Sequence, residues 1–255
     1  MPGSRVTLID DPDSRTSSMV VALNRLPQHL DWAVVGGFAV IIRASQVHRV
    51  TNDIDTISRD KTQLIELLAA EPAITKLSSA RLRIAGNNLP VDLDVMDAAA
   101  ESPLPAEPSE RAFALTRQHA LANGEPLEIV VTNGNQIVAH SHARFATSAS
   151  LIALKAVALP RRVDGHSPQK VGTDIYDLVS LAKGCDIRSF AREFAGSEED
   201  MTSWVAQTLA KWFSPDHDQR YTLARLRRIA SSFDTGAISE HDLTEVALLA
   251  GALQR

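Results

Sequence analysis

Apolar residues recur along the front of the chain with two different periods. Spacings of three and four residues are typical of amphipathic helices, whereas alternation, or a short apolar run ending in glycine, is typical of strands. Helix and strand therefore alternate up to about residue 97. The pattern predicts helices at 17–30, 38–45 and 61–72 and strands at 32–37, 53–58 and 89–97.

The pattern changes behind the last of these strands. A stretch rich in proline, alanine and serine, 98–110, predicts a linker or surface loop; a short helix at 111–124 and a hairpin at 126–140, turning at "NGN", follow it. After the hairpin only helical patterns occur. We therefore predict an α+β fold, with a mixed sheet and flanking helices at 17–147 and a helical domain at 148–255.

The composition predicts a cytoplasmic protein with a sizeable core. The chain has 255 residues, of which 44% are hydrophobic, and its single cysteine, Cys185, excludes an intramolecular disulfide framework. No targeting segment and no membrane-spanning apolar stretch is apparent, so we expect no membrane partner. Because the net charge is −5, binding a polyanion requires a metal ion or a local basic patch, and such patches occur at 43–49 and 161–170.

Two aspartates, Asp53 and Asp55, occupy alternate positions of a predicted strand. They face the same side, about 6.6 Å apart at roughly 3.3 Å per residue, while Ile54 faces the core. Like charges on one face repel, and aspartate is rare in strands, so a purely structural role is poorly motivated. Because such oxygen ligands suit Mg²⁺, the pair predicts a magnesium site.

A third carboxylate is predicted on the strand at 89–97, where Asp92 and Asp94 share one face. Three carboxylates on neighbouring strands can hold two metal ions about 3.5–4 Å apart, an arrangement used in phosphoryl transfer. We favour Asp92, because it follows the first apolar residue of the strand, and keep Asp94 as the alternative. An exposed polar face on an edge strand would also account for this pair taken alone.

The glycine pair Gly36 and Gly37 lies between a predicted strand and a predicted helix. Backbone N–H groups can approach a phosphate there without obstruction by a side chain, and the helix N-terminus adds a favourable dipole. A tight turn is the alternative interpretation of a glycine pair. A strand, two glycines, a helix and a strand with spaced acids follow the order that a phosphate cradle facing a metal site requires.

These motifs carry a resemblance to known families. "GGFAV" followed by "HRVTNDID" resembles the nucleotidyltransferase superfamily, with its polymerase-beta-like fold, in which a GG or GS turn precedes a D-x-D pair. "LIALKAVAL", then "RR" and "TDIYDLVSLA", resembles more narrowly the AbiEii-like nucleotidyltransferases, which include toxins of toxin–antitoxin systems.

The resemblance implies a polymerase-beta-like core whose nucleotide site is completed by the helical domain. Its substrate would be a nucleoside triphosphate, bound with two Mg²⁺ ions. A nucleoside monophosphate would be transferred to an acceptor hydroxyl, such as the 3′ end of a transfer RNA, and a cognate antitoxin would be a partner protein. The residues that it implies as metal ligands and phosphate contacts are those already singled out: Asp53, Asp55, Gly36 and Gly37.

The resemblance also assigns roles to residues in the helical part. Lys155 would reach the nucleotide phosphates, although a lysine in so apolar a helix can also lie at its rim or pair with an anion. Asp174 would act near the same pocket, although its position also fits a helix N-cap, and Asp177 could pair with Lys155, Arg161 or Lys170. Arg49, in the basic stretch before the aspartates, is a further candidate for nucleotide binding.

Two other functions stay open at this point. One is nucleotidyl transfer to a small hydroxylated molecule, as in aminoglycoside-modifying relatives, and the other is a non-catalytic regulatory or binding role. The histidines of "HSH", His140 and His142, could form a metal pair on a strand. We interpret them as hydrogen-bonded surface residues, because no cysteine or carboxylate completes a zinc set nearby.

Overall fold

The computed structural model confirms an α+β fold with a mixed sheet and a C-terminal helical region. The chain divides into two compact units, one of Met1–Ala100 with Ala120–Thr147 and one of Glu101–His119 with Ser148–Arg255. The strands belong to the first unit, and the second is helical. The residues that the structure describes are 4–45, 51–86, 88–99, 103–165, 168–215, 219–228 and 238–254.

Eight strands in these described ranges form one sheet. They are β1 (Ser4–Ile9), β2 (Trp32–Val35), β3 (Asp53–Ser58), β4 (Ile74–Lys76), β5 (Arg81–Ile84), β6 (Val91–Asp97), β7 (Glu125–Asn133) and β8 (Gln136–Phe145). Their order across the sheet is β1, β7, β8, β2, β3, β6, β5, β4. The strands with spaced aspartates, β3 and β6, are therefore neighbours near its middle.

The pairing of the central strands fixes which acids face one another. β3 runs parallel to β6, with Asp53 opposite Asp92 and Asp55 opposite Asp94. β5 runs antiparallel to β6 on the other side, and β2 runs antiparallel to β3. Ile54 of β3 and Val91, Leu93 and Val95 of β6 are buried, whereas the aspartates beside them lie on the opposite face of each strand. The polar alternates of both strands thus form one row.

Three helices pack against the sheet within its own unit. They are α1 (Arg15–Leu23), α2 (Gly36–Ala44) and α3 (Lys61–Ala69). α1 contacts β6, β7 and β8, and α2 contacts β2 and β3. α1 begins after Ser14, whose hydroxyl accepts a hydrogen bond from the backbone N–H of Ser17, and ends at Leu23. The helix predicted at 17–30 therefore ends earlier in the structure than the sequence pattern indicates, because Pro27 cannot continue a helix.

The remaining helices are those of the C-terminal region and one before the hairpin. The last helix, Glu240–Leu253, contacts the helices Pro168–Lys183, Ile187–Glu193 and Glu199–Phe213, and its buried residues include Leu243, Val246 and Leu249. It starts with a capping box between Ser239 and Asp242. These helices are α4 (Pro108–Ala122), α5 (Ser148–Asp164), α6 (Pro168–Lys183), α7 (Ile187–Glu193), α8 (Glu199–Phe213), α9 (Gln219–Arg228) and α10 (Glu240–Leu253).

The structure adds elements that the sequence pattern does not predict. β1, β4 and β5 are strands where no strand is expected, and α4 begins inside the stretch predicted as a linker. No helix among the described residues has both the length and the apolar character needed to cross a membrane.

Candidate functional site

The strand pair β3–β6 brings three carboxylates together. Asp53, Asp55 and Asp94 each offer an oxygen that lies within 4.8 Å of the other two. Their side chains are half-buried, whereas Ile54 and Leu93, which are adjacent to them in the strands, are fully buried. The third acid of this aspartate cluster is therefore Asp94, the alternative in the sequence analysis.

Asp92, which the sequence pattern favours as the third acid, is held by an arginine of β5. Arg83 Nε donates to Asp92 Oδ1 at 2.7 Å, and Arg83 Nη2 donates to Asp92 Oδ2 at 3.0 Å. This hydrogen-bonded pair holds the pKa of Asp92 below its usual range and raises the pKa of Arg83. The geometry places Asp92 in an arginine pair and outside the cluster of close carboxylate oxygens.

A second arginine of β5 lies beside the aspartate cluster itself. Arg81 Nε donates to Asp94 Oδ1 at 2.6 Å, and Arg81 Nη2 lies 3.9 Å from Asp53 Oδ2. The hydrogen bond with Asp94 and the negative charges around it raise the pKa of Arg81. One guanidinium beside three carboxylates leaves two negative charges, which match the charge of one divalent cation.

The turn between β2 and α2 is packed directly against one of these carboxylates. Gly36 has a φ of +69°, and a Cβ built on it would lie only 1.9 Å from Asp55 Oδ2. Glycine is therefore required at this position both for its backbone conformation and for the approach of Asp55. The side chain of the preceding residue, Val35, gives no cap to α2, whose first turn contains Gly36 and the buried Gly37.

The predicted lysine and aspartate of the helical unit belong to a buried ionic network. Lys155 Nζ lies 2.8 Å from Asp174 Oδ1 and 2.7 Å from Asp177 Oδ2, and Arg162 Nη1 lies 2.7 Å from Asp174 Oδ2. The pairing of Asp177 with Lys155, one of the three that the sequence leaves open, is confirmed. The N-cap interpretation of Asp174 is wrong, because α6 begins at Pro168 and Asp174 lies inside the helix.

Comparisons with known proteins include distant likenesses to solved structures, among them two proteins of Helicobacter pylori. No protein-family model and no curated protein matches the chain. A candidate nucleotidyltransferase from Helicobacter pylori is similar over 94% of this chain and 92% of its own, at 13% identity and a TM-score of 0.44. JHP933 from the same organism is similar over 94% of this chain and 89% of its own, at 15% identity and a TM-score of 0.45.

At these values the likeness assigns neither an activity nor a substrate to the chain. The resemblance to AbiEii-like proteins stays a prediction, as do the roles of Gly36, Gly37 and Lys155 toward a nucleotide. Arg49, the remaining predicted nucleotide contact, lies at 46–50, outside the described residues. The aspartate cluster and its surroundings are therefore the features that bear on function.

The variant Gly36→Ala tests the close contact between Gly36 and Asp55. The left-handed backbone costs an alanine about 1–2 kcal/mol, and overpacking against the carboxylate adds about 1–3 kcal/mol. We expect the free energy of unfolding, measured by urea denaturation, to fall by about 2–5 kcal/mol. Gly134→Ala is the matched control, because Gly134 has a φ of +57° but no atom within 4 Å of its built Cβ. Equal losses in both variants would contradict the close contact.

Proposed function

We propose that the chain is a metal-dependent nucleotidyltransferase, which moves a nucleoside monophosphate from a nucleoside triphosphate to an acceptor hydroxyl. One observation carries the proposal: Asp53, Asp55 and Asp94 place three carboxylate oxygens within 4.8 Å of one another. The start of α2 lies against the same group through the contact of Gly36 with Asp55. Carboxylates beside a helix N-terminus suit a substrate that combines a metal ion with phosphates.

The donor set of the cluster fits Mg²⁺. All three donors are carboxylate oxygens, and after the charge of Arg81 is counted they leave two negative charges, which a divalent ion offsets. Asp53, Asp55 and Asp94 would hold the ion. When bound, Mg²⁺ supplies Lewis-acid activation of the acceptor hydroxyl and neutralises charge on the leaving pyrophosphate.

The chain's own groups bind and orient the substrate in this proposal. Backbone N–H groups at the start of α2, from Gly36 and Gly37, receive the triphosphate, and their dipole favours its negative charge. Arg81 is half-exposed at the edge of the cluster, where its guanidinium can hold a phosphate oxygen. The acceptor oxygen bonds to the α-phosphorus, the bond to the bridging oxygen breaks, and pyrophosphate leaves with the electron pair while the hydroxyl proton goes to solvent.

We further propose the 3′ end of a transfer RNA as the acceptor, with toxicity through blocked aminoacylation. The support is the resemblance of "LIALKAVAL" and "TDIYDLVSLA" to AbiEii-like nucleotidyltransferases. A cognate antitoxin, a cytoplasmic location, a second Mg²⁺ ion, and contacts of Lys155 and Asp174 with the nucleotide site belong to the same proposal. All of these rest on the same resemblance.

The proposal is tested by incubating the protein with Mg²⁺, total transfer RNA and each α-labelled nucleoside triphosphate in turn. We expect label to enter RNA with the wild type and to be lost in the Asp53→Asn/Asp55→Asn double variant. Asp97→Asn, which changes an exposed aspartate at the end of β6, is the matched control and should keep the activity. Label entering only small hydroxylated acceptors would reject the RNA substrate, and no transfer to either acceptor would reject the nucleotidyltransferase activity.

A further inference from the structure

A second group of metal-ligand side chains lies on the hairpin of β7 and β8. His140 and His142 occupy alternate positions of β8, and Glu128 on β7 lies directly opposite His142 in the antiparallel register. Both histidines are exposed and His140 is hydrogen-bonded to Glu128, as the sequence predicts for surface residues, but the premise that no carboxylate lies nearby is wrong. The carboxylate comes from the facing strand, twelve residues before His140.

The distances within this hairpin triad suit a single metal ion. Glu128, His140 and His142 each offer one ligand atom, and the three atoms lie within 4.8 Å of one another. His140 Nε2 and Glu128 Oε1 are 3.2 Å apart. Two ligands at about 2.0–2.1 Å from a tetrahedral ion are separated by about 3.3 Å, so this spacing needs little adjustment on binding.

The backbone that carries the two histidines is fixed on both of its edges. On one edge, β8 is paired with β7. On the other, the carbonyl of His140 accepts a hydrogen bond from Asn24 Nδ2 at 2.9 Å, and that of His142 accepts one from Gln28 Nε2 at 3.4 Å. Ser141 between them is buried. Ligands on such a fixed strand lose little freedom when they bind a metal.

The chemistry of the donors indicates which metals would bind. Imidazole nitrogen suits Zn²⁺ and other late first-row ions, whereas Mg²⁺ prefers oxygen ligands, so this triad and the aspartate cluster select different metals. The side chains of His140 and Glu128 are 45% and 29% exposed, which leaves solvent access to the group. We propose that Glu128, His140 and His142 form a zinc site with three protein ligands and a fourth position open to water.

Zn²⁺ binding to the full-length protein, measured by isothermal titration calorimetry in excess Mg²⁺, tests the proposal. The excess Mg²⁺ occupies oxygen-only sites, and no activity is needed for the readout. We expect one Zn²⁺ per chain in the wild type. His140→Ala, His142→Ala and Glu128→Gln should each weaken binding by more than about tenfold, since even the loss of an outer partner costs that much.

The matched control is His241→Ala. His241 is exposed and lies 3.6 Å from Glu245, but the described residues supply no third ligand to that pair. This variant should bind Zn²⁺ like the wild type, and circular dichroism should show that all four variants are folded. The proposal is overturned if the wild type binds no Zn²⁺, if the three hairpin variants bind it unchanged, or if Asp53→Asn/Asp55→Asn removes the binding instead.

Discussion

Asp94→Asn is expected to lower kcat/KM for nucleotidyl transfer by about 10³-fold, whereas Asp92→Asn is expected to lower it by less than about tenfold. The first variant removes one charge from the aspartate cluster, and metal-ion catalysis is worth several kcal/mol, with each 1.36 kcal/mol equal to a factor of ten. Asp92 lies outside the cluster and is held by Arg83. The measurement is the rate of label transfer at saturating Mg²⁺.

These two variants are closely matched. Asp92 and Asp94 lie two residues apart on β6, their side chains are 24% and 26% exposed, and each is ion-paired with an arginine of β5. They differ in that only Asp94 has an oxygen close to those of Asp53 and Asp55. A large loss for Asp92→Asn with activity kept in Asp94→Asn would restore the assignment favoured by the sequence, and equal losses would contradict both.

Lys155→Met is expected to lower the free energy of unfolding by about 3–5 kcal/mol, because it removes one partner of a buried ionic network. Asp174 and Asp177 are almost completely buried, and each loses an ammonium at 2.7–2.8 Å. Urea denaturation at neutral pH, where both carboxylates of the unfolded chain are ionised, measures the change.

Lys183→Met provides the control for this variant. Lys183 pairs with Asp242 at 2.9 Å, but its side chain is 46% exposed, so its loss should cost less than about 1 kcal/mol. Adding Asp177→Asn to Lys155→Met should recover part of the loss, because it removes a buried negative charge that faced the deleted ammonium. If Lys155→Met costs no more than Lys183→Met, the buried network does not stabilise the helical unit. An activity defect of a folded Lys155→Met protein would then support its predicted contact with the nucleotide.

The central strands could be predicted because β6 alternates apolar residues with aspartates, and β2 is a short apolar run that ends in glycine. In β1 only Val6 and Leu8 alternate with polar residues, and the neighbouring Ile9 is 83% exposed. β1 is paired with β7, which comes far later in the chain, so no local signal accompanies it. β4 and β5 are short and rich in charged residues, and they become strands through pairing with each other and with β6. Tertiary pairing, rather than local preference, determines these elements.

The candidate site was predictable only where its residues lie close together in the sequence. Asp53 and Asp55 alternate on one strand, and this signal is local. Whether Asp92 or Asp94 joins the cluster depends on the register of β3 against β6 and on the arginines of β5. The sequence of β6 alone carries neither kind of information. Glu128 reaches the two histidines across a hairpin with an irregular register near Val131. For Asp174 a local signal existed, because a proline such as Pro168 favours the first position of a helix.

The two arginine–aspartate pairs between β5 and β6 also bear on strand alignment during folding. Apolar alternation repeats every two residues, so a slip by two would keep Leu82 on its buried face, and the core alone would oppose it weakly. The present register places Arg81 opposite Asp94 and Arg83 opposite Asp92. A slip by two in either direction leaves one arginine without an aspartate across from it. The charges thus select one alignment among those that the apolar pattern leaves equivalent, which gives Arg83 and Asp92 a use independent of catalysis.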